Sequence, residues 1–284
     1  MRIEIVTSLL RSYTALIYLF LYTPIALVVL FSFNAGNYAA DLQGFSLRWY
    51  GETWRDPFVI QAFQNSLLIA AVSATLSTVF GTLAALALQN VRGWLRVAYD
   101  ALIYVAIIIP GIVIGIATLI FFVQFFNWLN PWLAYLVGPA APKLNLGLPT
   151  IIAAHTLFTM SIVLVIVRAR AAGMDRSLIE ASGDLYATPL GTFWQVTLPQ
   201  LFPAILAGFL LAFTFSFDDF IVAFFVAGPN TTLPIYVFSS IRRGVTPKIN
   251  AIATVTLVVS LTFLFVTQML LRRSGGRPGR AEGA

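Results

Sequence analysis

The chain has 284 residues, of which 59% are apolar or aromatic and 10% are charged, against roughly 25% charged in a soluble domain. Even a soluble domain of about 300 residues leaves roughly a quarter of its unfolded-chain surface in water, so this much apolar surface cannot be hidden in a water-soluble fold. The composition excludes a soluble enzyme, a nucleic-acid-binding domain and a disordered linker, and the net charge of +6 reads as a topology signal rather than a nucleic-acid footprint.

Six stretches reach the roughly 20 apolar residues that a membrane span needs: 12–33, 61–89, 98–126, 148–171, 199–226 and 249–271. The first apolar run is too long for a signal-peptide core and no A-x-A site follows it, so an uncleaved helix is expected. Ser73, Ser77, Gly81 and Ala85 recur every four residues of the second span. They form a small-residue stripe that lets another backbone approach, most simply within the subunit. Pro110, Gly111 and Gly115 predict a kink in the third span. The connections 34–60 and 127–147 carry Trp49, Tyr50, Trp54, Trp128, Trp132 and Tyr135. Those aromatics read as headgroup anchors, with a docking surface for an external partner as the alternative. With the N-terminus inside, the inner segments hold 11 of the basic residues and the outer loops 6. Both termini are therefore expected on the cytoplasmic side.

The connection 172–198 is longer than a bare link of about 2–8 residues. Asp175 can cap a short amphipathic helix carrying Leu178, Ile179 and Glu180. An interfacial helix lying on lipid is one reading. Three acids (Asp175, Glu180 and Asp184) against one base, Arg176, suit an anionic inner leaflet poorly, so a protein partner fits better.

Asp218 and Asp219 fall inside the fifth span, where each carboxylate costs about 2.5–3.5 kcal/mol at the bilayer centre. One reading is structural, a bond to a neighbouring helix or a pair with Arg242 or Arg243; the other is a path for a cation. In one continuous helix the two would point about 100° apart. His155, the single histidine, reads as a hydrogen-bonded packing residue, with a proton relay as the alternative. One histidine and no cysteine exclude a His-cluster or thiolate metal site. Nothing matches GxxxxGK[ST], and no nucleophile–base–metal set is visible. No catalytic residue, metal or cofactor is expected in this chain. Nor does the sequence show the paired broken helices common in ion-driven secondary transporters.

Glu180-Ala181-Ser182, Asp184-Leu185 and Val196-Thr197-Leu198-Pro199 resemble the EAA loop of the MetI-like, binding-protein-dependent ABC transporter permeases. Phe31-Ser32-Phe33-Asn34, Gly44 to Tyr50, Asn65-Ser66-Leu67, Ser216 to Phe220, Gly228-Pro229, Leu233 to Tyr236, Gly244 to Pro247 and Asn250 to Thr254 resemble the spermidine/putrescine branch, PotC type. The resemblance implies an all-α integral membrane protein with six transmembrane helices, the type I ABC importer permease fold, and a cytoplasmic coupling helix. The chain divides into an N-terminal helix and outer loop (1–60), a five-helix core (61–273) with the coupling loop 172–198, and a Gly- and Arg-rich tail (274–284) whose composition predicts disorder. The resemblance implies that Glu180, Ala181, Ser182, Gly183, Asp184 and Leu185 contact an ATPase subunit, and that Trp49, Ser216, Asp218 and Asp219 belong to the substrate pathway. The implied partners are two ATPase subunits that bind ATP and Mg, a second homologous permease, an external substrate-binding protein and membrane lipid, in a bacterial inner membrane. The cargo would be a small organic cation such as spermidine or putrescine. Two departures stand out. Tyr186 replaces the family's usual Gly, which predicts a different helix exit. Gly111 replaces an acid that many polyamine members carry, which predicts a shorter or less charged cargo.

Overall fold

The computed structural model is built of helices and describes residues 2–38, 41–89, 91–138, 140–175 and 177–274. The elements in chain order are α1 (Arg2–Ser32), α2 (Arg48–Thr53), α3 (Pro57–Ala87), α4 (Trp94–Ile108), α5 (Gly111–Val137), α6 (Leu148–Ala172) and α7 (Ser177–Asp184). Then come α8 (Pro189–Thr192), a π turn (Phe193–Thr197), α9 (Leu198–Asp218), α10 (Ile221–Val226), α11 (Leu233–Ile241) and α12 (Pro247–Ser274). Among the described residues the only strand-like pairing outside helices is one antiparallel bridge, Asn34 to Phe45. Among the described residues, six helical segments are long and apolar enough to cross a membrane: Val6–Ser32, Pro57–Ala87, Gly111–Val137, Leu148–Ala172, Pro189–Asp218 and Pro247–Val266. Apart from Ser274, the expected disordered tail 274–284 lies outside the described residues, as does Arg176.

Two spans differ from the sequence reading. The third was expected as one kinked helix over 98–126; instead α4 ends at Ile108, and the membrane-length helix runs from Gly111 to Val137. Ile109 and Pro110 are extended, with ψ of 132° and 135°. Proline disfavours helical geometry in the residue before it and offers no N–H. The helix restarts when the Pro110 carbonyl accepts the Val113 N–H at 2.9 Å. Most of the expected loop 127–147 is therefore helix, and Trp128, Trp132 and Tyr135 stand exposed along its last turns. The fifth span was expected over 199–226. It ends at Asp218, and Asp219 is extended (φ −70°, ψ 122°) before α10 begins. The described residues thus include two interrupted helices that the sequence did not reveal.

The described residues divide into two compact units, one drawn from Met1–Gln61 and Tyr236–Ser260, the other from Ala62–Ile235 and Leu261–Ala284. In the first, Asn34 organises the connection after α1. Its side-chain amide donates to the carbonyls of Tyr38 (2.9 Å) and Asp41 (2.7 Å), and its Oδ1 accepts the N–H groups of Gly36 and Gln43. Phe33 stacks on Phe45, and the hydroxyls of Ser32 and Tyr50 lie 2.7 Å apart. Asp56 caps α3 by accepting the Phe58 N–H at 2.9 Å, one position before the proline that opens the helix.

In the second unit the small-residue stripe packs on α6. Ser73, Ser77, Gly81 and Ala85 are all buried. A Cβ on Gly81 would stand 2.9 Å from the Val163 Cβ, and one on Gly208 of α9 would stand 3.1 Å from the Val163 Cγ1. Val163 is therefore wedged between two glycines, which sets how closely α3 and α9 approach α6. Ile69, Ile151, Ala154, Val222, Ala223 and Val226 form the apolar cluster above that contact.

Candidate functional site

The two helix interruptions meet. A Cβ on Gly111, the first residue of α5, would lie 3.9 Å from the Cβ of Ile221, the first residue of α10, and one on Gly115 would touch the Phe225 ring. α5 and α10 therefore start level and run side by side. Beside them lies a cavity of about 230 Å³ whose lining includes Gly111, Ile114, Phe158, Phe215, Val222 and one charged group, Asp219. Breaking α9 frees the Asp219 carboxylate to face this space. Its Oδ2 accepts the Ala223 N–H at 3.0 Å and so caps α10.

Behind Asp219 is a buried polar chain. Ser216 Oγ lies 2.8 Å from Ser73 Oγ and 2.7 Å from His155 Nδ1, and His155 Nε2 lies 3.3 Å from Asp219 Oδ2. The structure thus brings Ser216 and Asp219 together. Asp218, the last residue of α9, is exposed. Because the helix breaks between the two aspartates, the 100° relationship of one continuous helix does not apply. Trp49 belongs to the first unit. It is 7% exposed, and its Nε1–H donates to the Asn34 carbonyl at 2.8 Å, so it does not sit as a headgroup anchor.

His155 and Ser73 were not placed with the aspartates by sequence reasoning. The signal was a matching register: His155 and Thr159 repeat on α6 as Ser73 and Ser77 do on α3, and Ser77 Oγ meets Thr159 Oγ1 at 2.6 Å. Polar side chains at i and i+4 on two apolar helices mark the faces that touch.

The second candidate region is α7 with its exit. Asp175 accepts the Ser177 N–H at 2.9 Å. The Ser177 hydroxyl and this N–H hold the Asp175 carboxyl below its ordinary value. Glu180, Ala181, Gly183, Asp184 and Leu185 are exposed, whereas Ser182 is half-buried with its hydroxyl 2.8 Å from that of Thr192. The helix ends with Ala187 N–H donating to the Ser182 carbonyl (3.1 Å) and Tyr186 N–H to the Gly183 carbonyl (2.9 Å). This is a Schellman exit, and Tyr186 takes the left-handed position at φ 59°. The expectation that tyrosine would change the exit is overturned. Two hydrogen bonds hold the turn, and the Tyr186 ring is 96% exposed, free of any steric conflict with the fold. Leu178, Leu185 and Tyr186 remain exposed on α7 and its exit, an apolar surface on a polar connection, and Leu190 and Trp194 are exposed at the start of the membrane-length segment that follows.

Six membrane-length helices, a carboxylate at a helix break and an exposed amphipathic helix between spans define a multi-pass membrane permease. Residues 77–277 match the family described as "Binding-protein-dependent transport system inner membrane component", and the chain belongs to that family. The putrescine transport system permease protein PotI of Escherichia coli K12 is 40% identical over 259 residues, covering 90% of this chain and 88% of the relative. The spermidine/putrescine transport system permease protein PotC of the same strain is 34% identical over 257 residues, covering 90% and 91%. PotC of Haemophilus influenzae is 33% identical over 265 residues, covering 93% and 96%. Among solved structures, a bacterial ABC transporter involved in alginate import superposes with a TM-score of 0.74 at 16% identity, over 96% of both chains. The MetNI methionine ABC transporter gives 0.57 at 16% identity, over 79% of this chain and 98% of that one. At these identities the two structures speak to the fold alone.

Proposed function

We propose that this chain is the membrane-spanning subunit of an ATP-driven importer for a small organic cation, putrescine or spermidine, handed over by an external binding protein. The observation that carries the reading is Asp219: a carboxylate freed by a helix break and facing an otherwise apolar cavity. An alkyl diamine matches that chemistry, with an ammonium for the carboxylate and a methylene stem for the walls lined by Ile114, Phe158, Phe215 and Val222. The names of the relatives, which are putrescine and spermidine/putrescine permeases, support the same cargo.

The exposed apolar surface of α7 and its exit is the face that would enter a groove on one of two cytoplasmic ATPase subunits, which bind ATP and Mg. Glu180 to Leu185 are the contact residues in this reading. A second, homologous permease completes the pathway, and both termini lie on the cytoplasmic side. Ser216 and Asp218 join Asp219 on the pathway, and Trp49, within the first unit, has a transport role of its own in this reading.

The test is uptake of labelled putrescine into vesicles that contain the assembled importer, with ATP inside or outside and with an imposed ion gradient in its place. ATP-dependent uptake that falls at least tenfold in Asp219→Asn, with assembly unchanged, is the expected result. Gradient-driven uptake, or full uptake by the Asp219→Asn, Asp218→Asn and double variants, would reject it.

A further inference from the structure

The polar chain behind Asp219 allows its protons to be counted. Ser73 on α3, His155 on α6 and Ser216 on α9 are all buried, His155 to 1% exposure. Ser73 Oγ donates to the Ile69 carbonyl at 2.7 Å. Ser73 Oγ and Ser216 Oγ are 2.8 Å apart, and Ser216 Oγ and His155 Nδ1 are 2.7 Å apart. These are three links in a row. A carbonyl brings no hydrogen and each hydroxyl brings one, so the two serines fill two links. The Ser73 hydrogen goes to Ile69, the Ser216 hydrogen goes to Ser73, and the third link takes its hydrogen from Nδ1–H of His155.

The other ring nitrogen is then decided by its neighbour. His155 Nε2 is 3.3 Å from Asp219 Oδ2, is buried, and is out of line for a hydrogen bond. In a neutral ring with Nδ1–H, the Nε2 lone pair would lie within 3.3 Å of a carboxylate oxygen, a repulsion of like partial charges that the low-dielectric surroundings strengthen. A proton on Nε2 converts it into an ion pair. Among the described residues of the second unit, no other cation lies beside the ring on the elements that pack against it. Within the second unit α3 has no charged residue, α5 and α10 have none, and α9 has Asp218 alone. Tyr135 is at the far end of α5. α4 also packs on α6, and its Asp100 is held by Arg168. Arg96, Tyr99 and Tyr104 belong to α4 as well. Arg168 and Arg170 are 13 and 15 residues past His155 on α6, about 20 Å along the helix at 1.5 Å per residue.

We propose that His155 exchanges its proton for the cargo: the imidazolium neutralises Asp219 while the cavity is empty, and an ammonium entering beside Gly111 and Phe158 takes its place. The inference rests on the reading of the cargo as an organic cation. The exchange balances. One cargo charge arrives at the Asp219 carboxylate, the Nε2 proton leaves to water, and the ring stays bonded to Ser216 through Nδ1–H. The cargo-free state holds one proton more than the loaded one, so binding strengthens as pH rises.

Two measurements on the assembled importer test this. In the first, ¹⁵N-histidine NMR on the wild-type complex gives the ring's protonation, the His155 signal being identified by its absence from His155→Gln. A doubly protonated ring at pH 6 without cargo, converting to a neutral one with saturating putrescine, is expected. In the second, the KM for putrescine uptake is followed from pH 5.5 to 8, the range in which imidazole titrates. It should fall by up to about tenfold per pH unit in the wild type and stay flat in His155→Gln. A neutral ring at pH 6 with uptake intact overturns the exchange alone, as does the same pH slope in both proteins. A protonated ring with no putrescine uptake at any pH overturns the cation reading and, with it, the exchange.

Discussion

Lys248 Nζ lies 2.5 Å from Asp56 Oδ2, joining residues 192 positions apart within the first unit. Tyr236 donates its hydroxyl to the same oxygen at 3.3 Å, while Oδ1 caps α3 through Phe58. One carboxylate therefore fixes a helix start and ties it to α11 and α12. Burial opposes its ionisation, but the Lys248 ammonium and the N–H groups of Phe58 and Val59 outweigh that and hold Asp56 below its ordinary value. Lys248→Met leaves this carboxylate short of its charge partner and should cost about 1–3 kcal/mol, read as a lower melting temperature of the purified complex. The pH sign follows from the depressed value. The contribution is present above the unfolded carboxylate value, near pH 4, and is lost as pH falls through the folded one. Asp56→Asn should therefore lose less stability than the wild type between pH 6 and pH 3. Equal losses in the two proteins would remove Asp56 from this role.

The exit of α7 makes a second, counter-intuitive prediction. Tyr186 holds a left-handed conformation that costs a side chain roughly 1–2 kcal/mol and costs glycine little. Its ring is almost wholly exposed, so Tyr186→Gly removes no packing within the chain. Isolated permease carrying Tyr186→Gly should be about as stable or up to about 1 kcal/mol more stable, while a large loss of stability would mean the turn is held otherwise. The ATPase contact is probed separately with Leu185→Asp. That variant should keep the fold, because Leu185 is exposed, yet lower ATPase co-purification or uncouple hydrolysis from uptake. Normal association and normal uptake would count against the groove reading.

The spans were legible because each rests on a long apolar run with few charges, a signal that survives any local detail. The interruptions were not, because their causes are tertiary. Pro110 predicts a kink equally well as a break, and only the lost register at Ile109 distinguishes them. Asp218 and Asp219 sit in an apolar run with no proline or glycine, so nothing local announces that α9 stops there. What holds the break open is Asp219 capping α10, a contact seen only once both segments exist. Tyr186 shows the converse. The Schellman hydrogen bonds and an exposed ring override a residue preference of about 1–2 kcal/mol.

The packing of α3 on α6 gives a third test. Gly81 has no room for a side chain: a Cβ would meet the Val163 Cβ at 2.9 Å and the Met160 carbonyl at 3.0 Å. A backbone carbonyl in a helix cannot swing aside as a side chain can. Gly81→Val should force the helices apart and cost about 2 kcal/mol or more, seen as reduced membrane yield and faster proteolysis. Gly51, with nothing within 4 Å of a built Cβ, is the control, and Gly51→Ala should be neutral. Unchanged yield and proteolysis in Gly81→Val would mean that α3 and α6 are not held at this spacing.

The last test concerns charge in the cavity. Gly111 lines the same space as Asp219, and a Cβ there meets nothing nearer than Ile221 at 3.9 Å, an ordinary contact. Gly111→Asp should therefore be accommodated sterically, unlike Gly81→Val. The new carboxylate would stand at the first residue of α5, where the helix dipole and its free N–H groups favour an anion by about 0.3–1 kcal/mol. An apolar cavity with two carboxylates rewards a longer cation whose ammonium groups reach both, and penalises an empty site. Uptake of spermidine relative to putrescine should rise several-fold in Gly111→Asp, with assembly unchanged. Adding Asp219→Asn should cancel the gain, because a single carboxylate then remains. If the preference does not move while the protein assembles normally, the cargo does not pass between Gly111 and Asp219, and the pathway must be sought on another face of α9.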